Sequence, residues 1–232
     1  MALYEDDSRQ IGPRRIETLY RDLSLYLDDS FMTAYLCYIA TISKPHVVIV
    51  DPLATSADPQ QFSQRSIIKS TFNYNNKITA EVILLPIHFP GHWELVIHDS
   101  RFDGTYYLDS LPSNPSRLDP FSSDLGTKSR INRIKSVICE IIPSKTANDI
   151  EIIVLNEADY TLQNDGVSCG YFVLLYSEAW LFNYGDLILE SLDIDREKRR
   201  ILWHVNELYS YSSDSVDYYP RIGSSEYKKI DD

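Results

Sequence analysis

Cysteine is scarce in this chain, with three among 232 residues (Cys37, Cys139 and Cys169) and no C-x-x-C spacing. A set so small and odd excludes a disulfide scaffold and a cysteine-rich zinc site, and it points to a reducing compartment, cytoplasm or nucleus. Glycine is thin as well, at eight residues, so a collagen-like or glycine-rich low-complexity chain is excluded. Positive charge is in deficit: Lys and Arg total 22 against 34 Asp and Glu, a net charge of −12. That balance excludes non-specific binding to nucleic acid or anionic membrane and suits a partner with a basic contact face. No apolar run approaches a membrane span. The opening MALYEDDSRQ is acidic and lacks the apolar core of a signal peptide. What remains is 44% apolar and 24% charged residues, enough for one sizeable core.

Periodicity predicts an α+β domain over residues 13–211, flanked by loose polar ends at 1–12 and 212–232. The run PRRIETLYRDLSLYL places Ile16, Leu19, Tyr20 and Leu23 at helical spacing. Asp28, Asp29 and Ser30 offer caps for a second helix, FMTAYLCYIATI. Strands are expected at HVVIV (46–50), VILLPIH (82–88), WELVIH (93–98), TYYLD (105–109) and EIIVL (151–155). Pro90-Gly91 breaks the second from the third, and Asp103-Gly104 turns the third into the fourth as a β-hairpin. Residues 128–139 read as helical, GYFVLLYSEAWLF after Cys169 as a helix buried all round, and 195–209 as an amphipathic helix with Ile201, Leu202, Val205 and Leu208 on one face.

Cys169 sits where the polar loop QNDGVS meets an apolar helix. The unpaired N–H groups of a helix start favour a thiolate, and Gly170 leaves room for a substrate carbonyl. A nucleophilic cysteine needs a base, and the base needs an orienter. His92 precedes the first hairpin strand and Asp109 closes the second, so antiparallel pairing brings them side by side. His88 and His98 are rivals, read as packed or surface histidines. Gln163, six residues before Cys169, offers an amide donor for an oxyanion beside the Cys169 backbone N–H. Cys37 and Cys139 read as core residues.

The order His-Trp, Asp-Ser-Leu, Gln-x-x-Gly-x-x-Cys-Gly resembles the Ulp-type cysteine peptidases, the SUMO proteases and their relatives. The matching stretches are LLPIHFPGHWELVIHD, YYLDSLPS and LQNDGVSCGYFVLL, with a weaker match at YLDDSFMTAYL. The resemblance implies a papain-like fold of the Ulp/adenain branch, with a central mixed sheet and the nucleophile at a helix N-terminus. It implies Cys169 as nucleophile, His92 as base and then acid, Asp109 as orienter and Gln163 in the oxyanion hole. Substrate contacts fall at Tyr26, Asp29, Trp93 and Gly170. In this family the modifier's Gly-Gly tail threads an aromatic tunnel, whose walls here are Trp93 and, in place of the usual Trp, Tyr26. The implied activity is a cysteine isopeptidase cutting after the Gly-Gly end of SUMO, the neddylation modifier or ubiquitin, as a monomer needing no metal or organic cofactor. Host regulators and pathogen effectors delivered into host cells both fit the pattern. Two positions depart from it: Asp165 stands where Asn is usual and Ser168 where Asp is usual, as in divergent members, some of which act on ubiquitin.

Other readings compete. Gly-Val-Ser-Cys-Gly at 166–170 fits the G-x-S-x-G elbow with Ser168 as nucleophile, but that needs a strand directly before it and an Asp, then a His, after it. His88 and His92 have zinc spacing only on a helix, which Pro90-Gly91 forbids. REKRR at 196–200 reads as a solvated helix face rather than a nucleic-acid patch. A non-catalytic modifier-binding module and a Cys–His acetyltransferase on the same fold complete the alternatives.

Overall fold

Local chemistry explains most element boundaries. The Asp28 carboxylate accepts from the Phe31 N–H at 2.8 Å and caps helix α1, Asp29–Ile42. Asp124 caps α2, Leu125–Ile141, through the Thr127 N–H. Helix α3, Cys169–Phe182, and helix α4, Ile194–Ser212, follow. The computed structural model describes residues 18–19, 21–52, 68–70, 80–111, 124–183, 187–189 and 192–212. The expected loose ends at 1–12 and 212–232 lie outside the described residues except for Ser212, the last residue of α4, and most of the first predicted helix lies outside them as well.

Among the described residues, six strands form one mixed sheet: β1 Val47–Val50, β2 Ile68–Ser70, β3 Val82–Phe89, β4 His92–Asp99, β5 Gly104–Leu108 and β6 Ile152–Val154, in the order β2-β1-β3-β4-β5-β6. β1 and β3 run parallel, as do β5 and β6; the other neighbours are antiparallel. Side chains alternate across β4. Trp93, Leu95 and Ile97 enter a core with α1, α3 and α4. Val96 enters a second core with α2 on the opposite face. Helix α3 is buried on nearly every side: β4 and α1 pack against it, and α4 reaches it through the Arg200–Glu178 ion pair.

Two expectations need correction. The helical reading of residues 13–27 does not hold past Arg21, because Asp22 accepts from the N–H and hydroxyl of Ser24 and folds the chain into a local turn. Pro90-Gly91 does not merely interrupt a strand: it is the two-residue turn of a β3–β4 hairpin, pairing Phe89 with His92. Gly91 has φ +78°, which suits the second position of a Pro-Gly turn. In the β4–β5 turn the positive φ belongs to Asp103, at 50°, rather than to Gly104. At Gly104 a Cβ would lie 2.3 Å from the Tyr106 hydroxyl, so any larger residue there displaces the end of that side chain.

Candidate active site

The β4–β5 register places Leu95 opposite Leu108, so His92 and Asp109 meet just beyond the paired ends. His92 Nε2 lies 2.8 Å from Asp109 Oδ1, which leaves Nδ1 free for a thiol. The same Asp109 oxygen accepts the Leu111 N–H at 2.8 Å, and Tyr160 donates its hydroxyl to the Asp109 carbonyl. Asp109 is therefore held from three directions. Burial works against a charged His92 ring, but hydrogen bonds and charge from Asp109 and Cys169 outweigh it and lift its pKa to about 10. An imidazolium is thus stable beside Cys169, the buried first residue of α3. All three cysteines are free thiols.

Ser110, between Asp109 and Leu111, joins the orienter to the amide. Its hydroxyl donates to Gln163 Oε1, and its carbonyl accepts the Gln163 N–H at 3.1 Å. Gln163 Nε2 spends one hydrogen on the Asp165 carbonyl at 2.6 Å, leaving the other for an oxyanion. Sequence reading valued the Asp of Asp-Ser-Leu and passed over the Ser.

The two departures from the family pattern are bonded to one another. Asp165 accepts from the N–H groups of Val167 and Ser168 and from the Ser168 hydroxyl. Burial alone would raise the Asp165 pKa, but these bonds, with Lys198 nearby, hold it below the usual carboxylate range. Ser168, fully buried with its hydroxyl so engaged, is an anchor of the loop. No strand immediately precedes it, and the elbow reading fails on both counts. Lys198 and Arg200 correct the solvated-face reading of REKRR: Lys198 is buried and donates to the Leu23 carbonyl, and Arg200 pairs with Glu178 and Glu197.

Of the expected substrate-contact residues, Tyr26 bonds the loop before Cys169, and Trp93 packs against Gly170, the residue after it. Tyr26, 44% exposed, donates its hydroxyl to the Gly166 carbonyl at 2.8 Å. Trp93, only 4% exposed, donates Nε1 to the Leu27 carbonyl at 3.0 Å and lies 4.5 Å from the His88 ring. Burial depresses the His88 pKa while the nearby Asp29 carboxylate opposes it. Gly170 is buried, and a Cβ there would stand 3.1 Å from Leu27 Cβ and 3.3 Å from Trp93 Cδ1. Its small size thus serves the packing of Trp93 as well as any substrate. Gly170→Ala gains about 1 kcal/mol in helix propensity but overpacks this contact, which typically costs about 1–3 kcal/mol. The expected result is a melting temperature lower by about 2–4 °C and a larger proportional loss of turnover as Trp93 shifts. An unchanged melt and turnover would show that Leu27 gives way freely.

Among the described residues, His92, Glu94 and Asp109 have donor atoms all within 4.8 Å of one another, close enough for a metal ion. His92 Nε2 and Asp109 Oδ1 already engage each other, which leaves Glu94 as the unexplained member. Sequence reading missed Glu94. The available signal was a carboxylate at an inward-facing position of an otherwise apolar strand, two residues from His92.

Residues 25–202 match the Ulp1 protease family, C-terminal catalytic domain. The chain belongs to that family. It is similar to Sentrin-specific protease 2 of Pongo abelii, 29% identical over 116 residues, 44% of this chain and 16% of that protein. It therefore spans about a sixth of that relative's length. Among solved structures, it is similar to the C-terminal Ulp1 protease domain in complex with Smt3, the yeast ortholog of SUMO, at 21% identity and a TM-score of 0.60, covering 87% of this chain and 85% of that one. A second is the Ulp1-like SUMO protease catalytic domain of Chaetomium thermophilum, at 14% identity and a TM-score of 0.51, covering 79% and 73%. The fold is that of the Ulp1 catalytic domain.

Proposed function

We propose that this protein is a cysteine isopeptidase that cleaves after the C-terminal Gly-Gly of a ubiquitin-like modifier. The observation that carries the reading is the joined line Cys169, His92, Asp109, Ser110, Gln163, in which one short segment orients both the base and the oxyanion donor. The Cys169 thiolate attacks the carbonyl carbon of the second glycine. The developing oxyanion receives the Cys169 backbone N–H and the remaining N–H of Gln163 Nε2. His92 Nδ1–H then protonates the departing amine, and a thioester forms. Water enters, gives a proton to the now neutral His92, and its hydroxide attacks the thioester. The products are a free carboxylate and the regenerated thiol–imidazole pair. Membership of a peptidase family disfavours the acetyltransferase alternative, and the complete constellation disfavours a module that only binds.

Ulp1 bound to Smt3 supports a ubiquitin-like partner for this chain too. The net charge of −12 favours a modifier with a basic surface near its tail. Cys169 must stay reduced to act, which fits the cytoplasm or nucleus, including a host cell's. Among the described residues no helix is long and apolar enough to cross a membrane.

Tail specificity tests the proposal. Tyr26, bonded to the Gly166 carbonyl, and Trp93, bonded to the Leu27 carbonyl, would be the aromatic walls that admit only a tail without side chains. The protein is expected to cut a modifier ending in Gly-Gly far faster than one ending in Gly-Ala. Trp93→Ala should lose on the order of 10²-fold through misplacement of the tail, and Tyr26→Phe, which removes only the bond to Gly166, several-fold. Equal cleavage of the two tails by wild type would overturn the diglycine reading.

A further inference from the structure

Glu94 lies on the face of β4 that His92 shares, is fully buried, and has no hydrogen-bond partner of ordinary geometry for either carboxyl oxygen among the described residues. Asp109 Oδ2 is likewise buried without such a partner, while Oδ1 serves His92 and Leu111. The two carboxyl groups stand within 4.8 Å of each other. Two facing, buried carboxyls, Glu94 without a partner on either oxygen and Asp109 without one on Oδ2, cannot both be ionised without a large cost, and one proton shared between them satisfies Asp109 Oδ2 and one Glu94 oxygen.

We propose that Glu94 is a protonated positioning residue whose O–H donates to Asp109 Oδ2 and holds that carboxylate in line with His92. This rests on the peptidase reading above. The groups facing Glu94 assign the proton to it rather than to Asp109. His92 and the Leu111 N–H stabilise a charged Asp109 directly. Glu94 instead faces Asp109 from the loop after β5, His92 on its own strand, Tyr107 on β5 and Arg130 on α2, while its β3 neighbour Ile87 is apolar. Tyr107, His92 and Arg130 favour its charged form, but burial and the Asp109 charge win and lift its pKa to about 8. A carboxylic acid is therefore the form present at neutral pH. Ionisation at higher pH would remove the donor and set a second negative charge against Asp109.

The consequence is an alkaline limit on turnover below the one set by the His92–Cys169 pair, whose imidazolium persists to about pH 10. The sign follows from which form works: turnover is full while Glu94 holds its proton and falls as pH rises through its pKa. The test is the pH dependence of kcat on a modifier–fluorophore substrate for wild type, Glu94→Gln and Glu94→Met, with pH-difference infrared spectra of wild type and Glu94→Gln. Wild-type kcat is expected to decline above about pH 8, by up to roughly tenfold per pH unit. Glu94→Gln, which keeps a donor at every pH, should stay within a few-fold of wild type at neutral pH while its alkaline limit moves upward. Glu94→Met, which keeps the volume but has no donor, should be at least about tenfold slower at all pH values. A protonated-carboxyl band present at neutral pH should vanish on alkalinisation in wild type and be missing from Glu94→Gln. Superimposable pH profiles for wild type and Glu94→Gln, or no such band, would overturn this inference with hydrolysis intact. Absence of hydrolysis by wild type at every pH would overturn the peptidase reading and the positioning role with it.

Discussion

Replacing Cys169 with alanine is expected to abolish hydrolysis of a modifier–fluorophore substrate while binding of the modifier survives. The thiol is the only group in the Cys–His–Asp line able to form the thioester, and its loss removes the covalent route altogether. The substitution deletes one sulfur at the start of a well-packed helix and leaves the cap intact, since the Phe172 N–H still bonds the Ser168 carbonyl. The neighbouring Ser168→Ala is the informative contrast. It frees Asp165 from one of its three local donors but keeps the Val167 and Ser168 N–H bonds. The loop should hold, and turnover should drop several-fold at most. Activity retained in Cys169→Ala and lost in Ser168→Ala would reverse the assignment of the nucleophile.

Asp109→Asn is expected to lower turnover on the order of 10²–10⁴-fold without unfolding the domain. An amide oxygen can still accept from His92 Nε2 and the Leu111 N–H, both 2.8 Å away, so the local hydrogen bonds survive. What disappears is the negative charge that helps lift the His92 pKa. The imidazolium that must protonate the leaving amine becomes less stable, and the ring is no longer held to one tautomer. Because the Tyr160 hydroxyl bonds the Asp109 backbone carbonyl, not the carboxylate, the segment keeps its anchor. A thermal melt near wild type paired with unchanged turnover would reduce Asp109 to a turn residue.

How much of this was legible beforehand depends on whether a signal is local. The α1 cap, the apolar runs of β3 and β4 and the buried α3 follow from composition over a few residues, and all were readable. The β4–β5 hairpin was readable because a turn signal and two alternating runs lie within 17 residues, His92 to Asp109. The meeting of Gln163 with Ser110 was not, because it spans 53 residues and no periodicity announces it. Lys198 was misread for the same reason: a charge run on a helix looks solvated until the Asp165 loop and the Leu23 carbonyl are seen beside it. The exchange at Asp165 and Ser168 looked like two separate departures because only the folded loop brings hydroxyl and carboxylate together. Glu94 was hidden inside WELVIH, where one carboxylate among apolar residues passes for a solvent-facing position. The outer segments of the expected domain, 13–17 and the polar ends, lie outside the described residues.

Covalent capture shows whether Cys169 is the nucleophile that meets a modifier's C-terminus. Ubiquitin, SUMO and the neddylation modifier, each carrying an electrophile in place of the C-terminal carboxylate, are incubated with the protein, and the adduct is located by mass spectrometry. The expected result is an adduct with at least one of the three, formed on Cys169 and absent from Cys169→Ala. No adduct with any of them, or an adduct on Cys37 or Cys139 that persists in Cys169→Ala, would contradict it.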